Sequence, residues 1–206
     1  SIILKMKFNV LIIGGGAAGM SCALILGSAI QKNVVPNKKV GIIMHQKSSH
    51  LSSALLNNAL GIVPGTSGKQ ILEEGVLHLE EQYPEVEQIG KEKVKEILQL
   101  DESFRVVTNK NSYDTEIVVI ATGYNSPFRI EGLENEVIPH QKAKVSKERI
   151  QLKNKDHLVK PGIYVAGSLA GWRSQFAIAC GSGASVATDI LSLWNGEHTK
   201  VHDKLL

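Results

Sequence analysis

Three glycines with a spacing suited to phosphate chemistry stand near the start of the chain, in Gly14-Gly15-Gly16-Ala17-Ala18-Gly19. In this G-x-G-x-x-G spacing each glycine has its own task. Gly14 lets a strand turn sharply, Gly16 lets backbone approach a pyrophosphate, and Gly19 lets a helix pack closely on the strand. Ala17 and Ala18 open a helix whose free N–H groups and partial positive charge suit phosphate oxygens. Asn9-Val10-Leu11-Ile12-Ile13 reads as the buried strand before the turn, and Met20-Ser21-Cys22-Ala23-Leu24-Ile25-Leu26 as the helix after it. That context turns a common glycine pattern into a dinucleotide-binding expectation.

Other chemically capable residues carry less. Cys22 and Cys180 form no C-x-x-C, so their spacing indicates neither a redox dithiol nor a zinc knuckle. Both sit among small and apolar residues on expected helices and read as buried packing. Glu73, Glu74, Glu80 and Glu81 read as a solvated helix face. His198 and His202, with Asp203, have a ligand-like i, i+4 spacing, but they fall in a polar tail over residues 195–206 where solvated side chains are the rule.

The elements that must position the glycines follow from the hydrophobic pattern. Val40-Gly41-Ile42-Ile43-Met44 reads as a second buried parallel strand, reached through a polar loop at 31–39. Its end, where a dinucleotide fold usually holds an acid for the ribose hydroxyls, carries Met44 and His45. Residues 60–68 form a loop from which Thr66 or Ser67 caps a helix starting near Lys69. Val94 to Leu100, Phe104 to Thr108 and Tyr113 to Ile120 read as an antiparallel meander whose last strand runs into Ala121-Thr122-Gly123. Residues 125–156 are weakly periodic, with a short strand at Ile150-Gln151-Leu152. Gly162 to Gly167 gives another buried strand ending in glycine and followed by Ser168. A final helix runs from Phe176 to about Trp194, rich in small residues that permit close backbone approach, with Gln175, Phe176 and Ala177 at its N-terminus.

Bulk properties narrow the classes. At 206 residues and 43% hydrophobic content the chain can form one α/β domain with a real core. A net charge of +3, with no basic stripe interleaved with aromatics, argues against nucleic acid as the main partner. No unbroken apolar run reaches the length needed to span a bilayer, so no membrane partner and a cytoplasmic location are expected. Ser1 to Lys5 reads as leftover upstream sequence before a start at Met6.

Taken together, the opening glycines, the 61–68 loop, Ala121-Thr122-Gly123 and Pro161-Gly162-Ile163-Tyr164-Val165-Ala166-Gly167-Ser168 resemble, in order, the FAD domain of the thioredoxin reductase-like FAD-dependent pyridine nucleotide-disulfide oxidoreductases. The resemblance covers the chain from about Phe8 to Leu193. It implies an α/β, Rossmann-like FAD-binding fold with a central parallel sheet and a small antiparallel β-meander, in a single domain. By resemblance, Gly14, Gly16, Ala17, Ala18 and Gly19 hold the FAD pyrophosphate, and Met44 and His45 meet the adenosine ribose. Ala121, Thr122 and Gly123 run past the cofactor, Gly167 and Ser168 lie against its ribityl and phosphate region, and Gln175, Phe176 and Ala177 approach the flavin pyrimidine edge. A homodimer is also implied.

Three departures from the family pattern shape the functional expectation. The family inserts an NAD(P)H domain between its Ala-Thr-Gly strand and its closing motif, and here only about 40 residues separate Gly123 from Gly162, too few for such a domain. The dithiol carried by that domain is absent. The closing motif reads Gly167-Ser168 where the family has Gly-Asp, which with Met44-His45 removes two anchoring carboxylates, each worth about 1.5–3 kcal/mol. The expectation is a FAD-binding oxidoreductase that takes electrons from an external reductase or small-molecule donor. The alternative is a non-enzymatic nucleotide-binding or regulatory module with weak or no FAD binding.

Overall fold

The computed structural model describes residues 7–45 and 49–205; Ser1 to Lys5, read above as upstream sequence, and Met6, read as the start, lie outside the described residues. In chain order the strands are β1 Lys7–Ile13, β2 Val40–Met44, β3 Leu55–Leu56, β4 Thr66–Ser67, β5 Glu87–Gly90, β6 Val94–Gln99, β7 Phe104–Thr108, β8 Ser112–Ile120, β9 Val137–Pro139, β10 Ile150–Leu152, β11 Leu158–Lys160 and β12 Ile163–Val165. The helices are α1 Ala17–Gln31, α2 Gly68–Gln82 and α3 Phe176–Asn195.

The main sheet runs in the order β11-β12-β8-β1-β2-β5. Its pairs from β12 to β5 are parallel, and β11 is an antiparallel edge. Strand β8 belongs to two structures at once. Its first half pairs antiparallel with β7 in the meander, while its second half pairs parallel with β12; β1 runs along its other side. The fold class expected from sequence is therefore present.

Near-continuous apolar runs in β1, β2 and β8 are the signature of strands buried on both faces. Val10, Ile12, Val40, Ile42, Ile117 and Val119 join the core beneath the helices. Their alternates Leu11, Ile13, Ile43, Val118 and Ile120 join the core beneath the meander, as a period of two requires. Helix α3 lies across α1 at backbone contact: a Cβ on Gly183 would stand 1.9 Å from the Ala18 carbonyl oxygen. By length and composition α3 is apolar enough to cross a membrane, with mean hydropathy 1.4, which corrects the expectation that no segment is. Here Val186, Ala187, Ile190 and Leu191 are spent on the core against α1 and the sheet.

Several elements were not expected. Strand β5 adds a parallel edge beside β2, β3 and β4 form a two-residue hairpin, β9 pairs with β10, and β11 with β12. Helix α2 begins as anticipated, with Ser67 Oγ accepting from the Gln70 N–H at 3.1 Å. The C-terminal segment is docked, not frayed: Val201 and Thr199 are buried, the Thr199 N–H donates to Ser192 Oγ at 3.0 Å, and Asp203 pairs with Lys32 at 2.8 Å. Among the described residues no His, Cys, Asp and Glu side chains are grouped to hold a metal ion.

Candidate functional site: a cavity at the carboxyl ends of the parallel strands

The glycine turn is held from both sides by an extension of the sheet's hydrogen bonding. The Gly14 N–H donates to the Ile43 carbonyl at 2.9 Å, and the Ala121 N–H donates to the Ile13 carbonyl at 2.8 Å. Gly14 has φ +110°, and a Cβ there would lie 2.2 Å from the Ala121 carbonyl oxygen, so the neighbouring strand end excludes a side chain. A Cβ on Gly19 would stand 1.8 Å from the Gly14 carbonyl oxygen, which measures how tightly α1 seats on the turn. Gly16 differs: its Cβ would meet only Ser49 Oγ, at 3.4 Å. The space above Gly16 is open to a ligand.

That space is a cavity of about 1020 Å³ at the carboxyl ends of β1, β2, β8 and β12, where open α/β sheets bind ligands. Its size lies at the upper end of the roughly 300–1,000 Å³ common for ligand pockets. Two helix N-termini bound it. Gly16 at the head of α1 and Gln175 at the head of α3 make no side-chain cap, and neither helix has an acid in its first turn. Their N–H groups and partial positive charges therefore remain for an anion.

Of the site residues expected from sequence, Gly14, Gly16, Ala17, Ala18, His45, Ala121, Thr122, Gly123, Gly167, Ser168, Gln175 and Phe176 line this cavity. Met44, Gly19 and Ala177 do not. Met44 is buried beneath the turn, its Cγ 2.7 Å from where a Gly15 Cβ would stand, so only His45 at the end of β2 is available to a ribose. Gly19 is spent on helix–strand packing, and Ala177 is exposed on the outer side of α3.

Residues outside the sequence reading complete the lining, among them His50, Glu92, Lys93, Asn125, Arg129, Arg149 and Arg173. Asn125 Oδ1 ties the rim together, lying 3.0 Å from His50 Nε2 and accepting from the Arg149 guanidinium. Glu92 is the only carboxylate among the described lining residues, and its oxygens are already engaged. They accept from Thr108 Oγ1 at 2.6 Å, Asn111 Nδ2 at 2.7 Å and Tyr113 OH at 2.9 Å. Burial pushes the Glu92 carboxyl up, but these hydrogen bonds and Lys110 outweigh it and hold it below the usual carboxylate range. Burial, followed by the contact with Glu92, pushes the Tyr113 phenol up to about 12. Among the described residues the cavity therefore presents cations without carboxylate partners and no free carboxylate, a field that suits a diphosphate. No spacing rule flags Arg149 and Arg173, which lie far from the glycine motif in sequence and reach it only through the fold.

Beneath the Gly167 turn lies a buried relay. Ser182 Oγ accepts from the Gly167 N–H at 2.8 Å and shares a second hydrogen bond with His157 Nε2, also at 2.8 Å. Burial lowers the His157 pKa, opposed in part by Asp189 and Asp156. Both thiols are pushed up by burial, Cys22 strongly, which disfavours the thiolate needed for sulfur chemistry.

A parallel sheet carrying a glycine turn at its carboxyl edge, between two uncapped helix N-termini, defines the class as a Rossmann-like nucleotide-binding fold. The chain belongs to the pyridine nucleotide-disulphide oxidoreductase family, a family of flavoproteins whose model matches residues 8–184. Solved structures of similar fold include a ferredoxin-flavin thioredoxin reductase from Clostridium acetobutylicum, with TM-score 0.67 and 17% identity over 94% of this chain and 100% of that one. They also include the T. acidophilum thioredoxin reductase, with TM-score 0.65 and 15% identity over 93% and 99%. A third is a thioredoxin reductase from Gloeobacter violaceus, with TM-score 0.67 and 14% identity over 98% and 100%. At these identities the likeness is one of fold. No curated protein matches the chain in sequence.

Proposed function

We propose that the chain binds FAD in the 1020 Å³ cavity and acts as an oxidoreductase supplied with electrons from outside the polypeptide. The observation that carries the reading is the open space over Gly16, bounded by two uncapped helix N-termini and walled by cations. Gly14 to Ala18 and the head of α1 would hold the pyrophosphate. His45 would hydrogen-bond the adenosine ribose, and Ser168 would offer a hydroxyl to the ribityl chain. The backbone at 175–176 would face the flavin pyrimidine edge, where the N-terminal charge of α3 stabilises negative charge. When bound, FAD supplies hydride and single-electron chemistry that the side chains cannot.

The external electron source is favoured by what lies between β8 and β12. Residues 124–161 hold β9, β10 and β11 with short 3₁₀ turns, and no parallel sheet of their own. Neither thiol lines the cavity, so a partner protein or small molecule would complete the relay. A homodimer in the cytoplasm is part of the same proposal.

The deciding measurement is the visible spectrum of freshly purified protein and of protein incubated with FAD. Flavin bands are expected in wild type and absent in Gly16→Val, whose branched side chain fills the ligand space while its circular dichroism stays native. Colourless wild-type protein that gains no bound flavin would end the proposal. A non-enzymatic module is the second reading. It is favoured by the burial of Met44 and the full engagement of Glu92, which leave FAD without a carboxylate anchor. Bound flavin that no reductant bleaches would favour it.

A further inference from the structure

A second, smaller cavity of about 180 Å³ lies beside the α3 end of the large one. Lys142, Lys144, Lys147, Arg149 and Arg173 line it, and Arg149, Arg173 and Ser174 line both cavities. Among the described residues, none of these five cations forms an ion pair with a carboxylate. A concave site walled by one sign of charge focuses its field on a counter-ion.

The wall is built, not draped. His140 is buried. Its Nδ1 accepts from the Lys142 and Ala143 N–H groups at 3.1 and 3.0 Å, so Nε2 carries the hydrogen and donates to the Ser168 carbonyl at 2.9 Å. This fastens the start of the lysine-bearing segment to the closing turn of the large cavity. The Lys142 ammonium sits 4.4 Å over the Trp172 ring, and the Arg149 guanidinium sits 4.8 Å over Tyr124. Tyr124 is itself held edge-on between His50 and His140, at 5.6 and 5.4 Å. Ring contacts that fix two of the cations lower the entropy lost when an anion arrives.

We propose that this pocket binds the phosphate group of a small phosphorylated ligand whose remainder extends into the neighbouring large cavity. The volume suits one such group, not a whole nucleotide. Arginine forks match phosphate oxygens in pairs, and several lysine point charges suit a dianion better than a single carboxylate. A concave pocket suits a small ligand better than the flat face of an acidic protein. Anion binding stands on its own. That such a ligand would exchange electrons with the flavin is a separate step, and it rests on the FAD reading above.

The test is calorimetric titration of FAD-saturated protein with inorganic phosphate, and in a second arm with phenyl phosphate, at fixed pH and ionic strength. Saturable binding is expected. It should weaken about tenfold or more in Lys144→Gln/Lys147→Gln, as expected for loss of charge-assisted hydrogen bonds. Both lysines are exposed, so the melting temperature should not change. Arg149→Lys, which keeps the charge but loses the fork, should weaken binding by an intermediate factor. Equal phosphate affinity in wild type and the double variant, or no saturable binding to wild type, overturns the proposal. If the protein takes up no flavin, the same comparison on the cofactor-free chain still decides the pocket, because phosphate bound at the glycine turn would not respond to Lys144 or Lys147.

Discussion

Ser182 shows how much one hydroxyl can organise. It accepts from the Gly167 backbone and is hydrogen-bonded to His157, so a helix side chain fixes the turn that closes the large cavity. Burial has lowered the folded-state pKa of His157, so the folded protein binds fewer protons than the unfolded chain between that pKa and about 6.5. Stability from this group is complete above about 6.5 and is lost as pH falls through the folded value. Urea midpoints measured between pH 8 and pH 5 should therefore fall more steeply in wild type than in His157→Asn. Asn tolerates the left-handed backbone at this position, φ 72°. Parallel profiles would exclude His157 as the source. At this scale the sequence was legible where backbone geometry dictates residue type, at Gly14 and Gly19, and poorly legible where the fold gathers side chains from afar. Met44 was misplaced because a strand end does not declare which face its last residue takes. Arg149 and Arg173 were invisible because nothing local ties them to the glycines.

At the scale of elements, close backbone contact between α1 and α3 is the feature on which the site depends. A Cβ on Gly183 would press on the Ala18 carbonyl, in the first turn of the helix that faces the cavity. Gly183→Ala should cost about 1–3 kcal/mol by overpacking and should weaken FAD binding as well, read by melting temperature and flavin titration. Gly181→Ala is the internal control, because its Cβ would meet nothing within 4 Å. Alanine there should stabilise the helix by about 0.5–1 kcal/mol. If both variants behave alike, helix proximity is not what the glycine secures. Strands with several buried apolar residues were readable, and β2 fell on the expected residues. Strands β5, β9 and β11 were not: β5 buries only Ile89, and β9 and β11 span three residues each with no fully buried side chain. Such short edges form because a neighbour supplies hydrogen-bond partners, and their own pattern does not announce them.

For the whole molecule, ligand binding and folding are one equilibrium. If FAD occupies the cavity at about a hundred times its dissociation constant, the folded state gains about 2.7 kcal/mol. For a chain of this size that is a rise of about 5–10 °C in melting temperature. A panel of FAD, FMN, NAD and NADP should show the largest shift with FAD. No shift with any of them would leave the fold without a nucleotide role. The global architecture was legible because strand, glycine turn and helix recur in a fixed order, and that order specifies the sheet.

The chain leaves the sheet at the end of β8 and returns through the antiparallel edge strand β11 to β12, the immediate parallel neighbour of β8. Both posts are clamped, since the Val118 N–H donates to the Gly162 carbonyl and the Ala166 N–H to the Ile120 carbonyl, each at 2.9 Å. With the posts fixed, the length of chain between them becomes nearly a free variable, because each doubling of a loop costs only about 0.6 kcal/mol in closure. For protein engineering, the crossover is a splice point. A folded module inserted between Gly123 and the start of β11 would leave the register of the main sheet untouched.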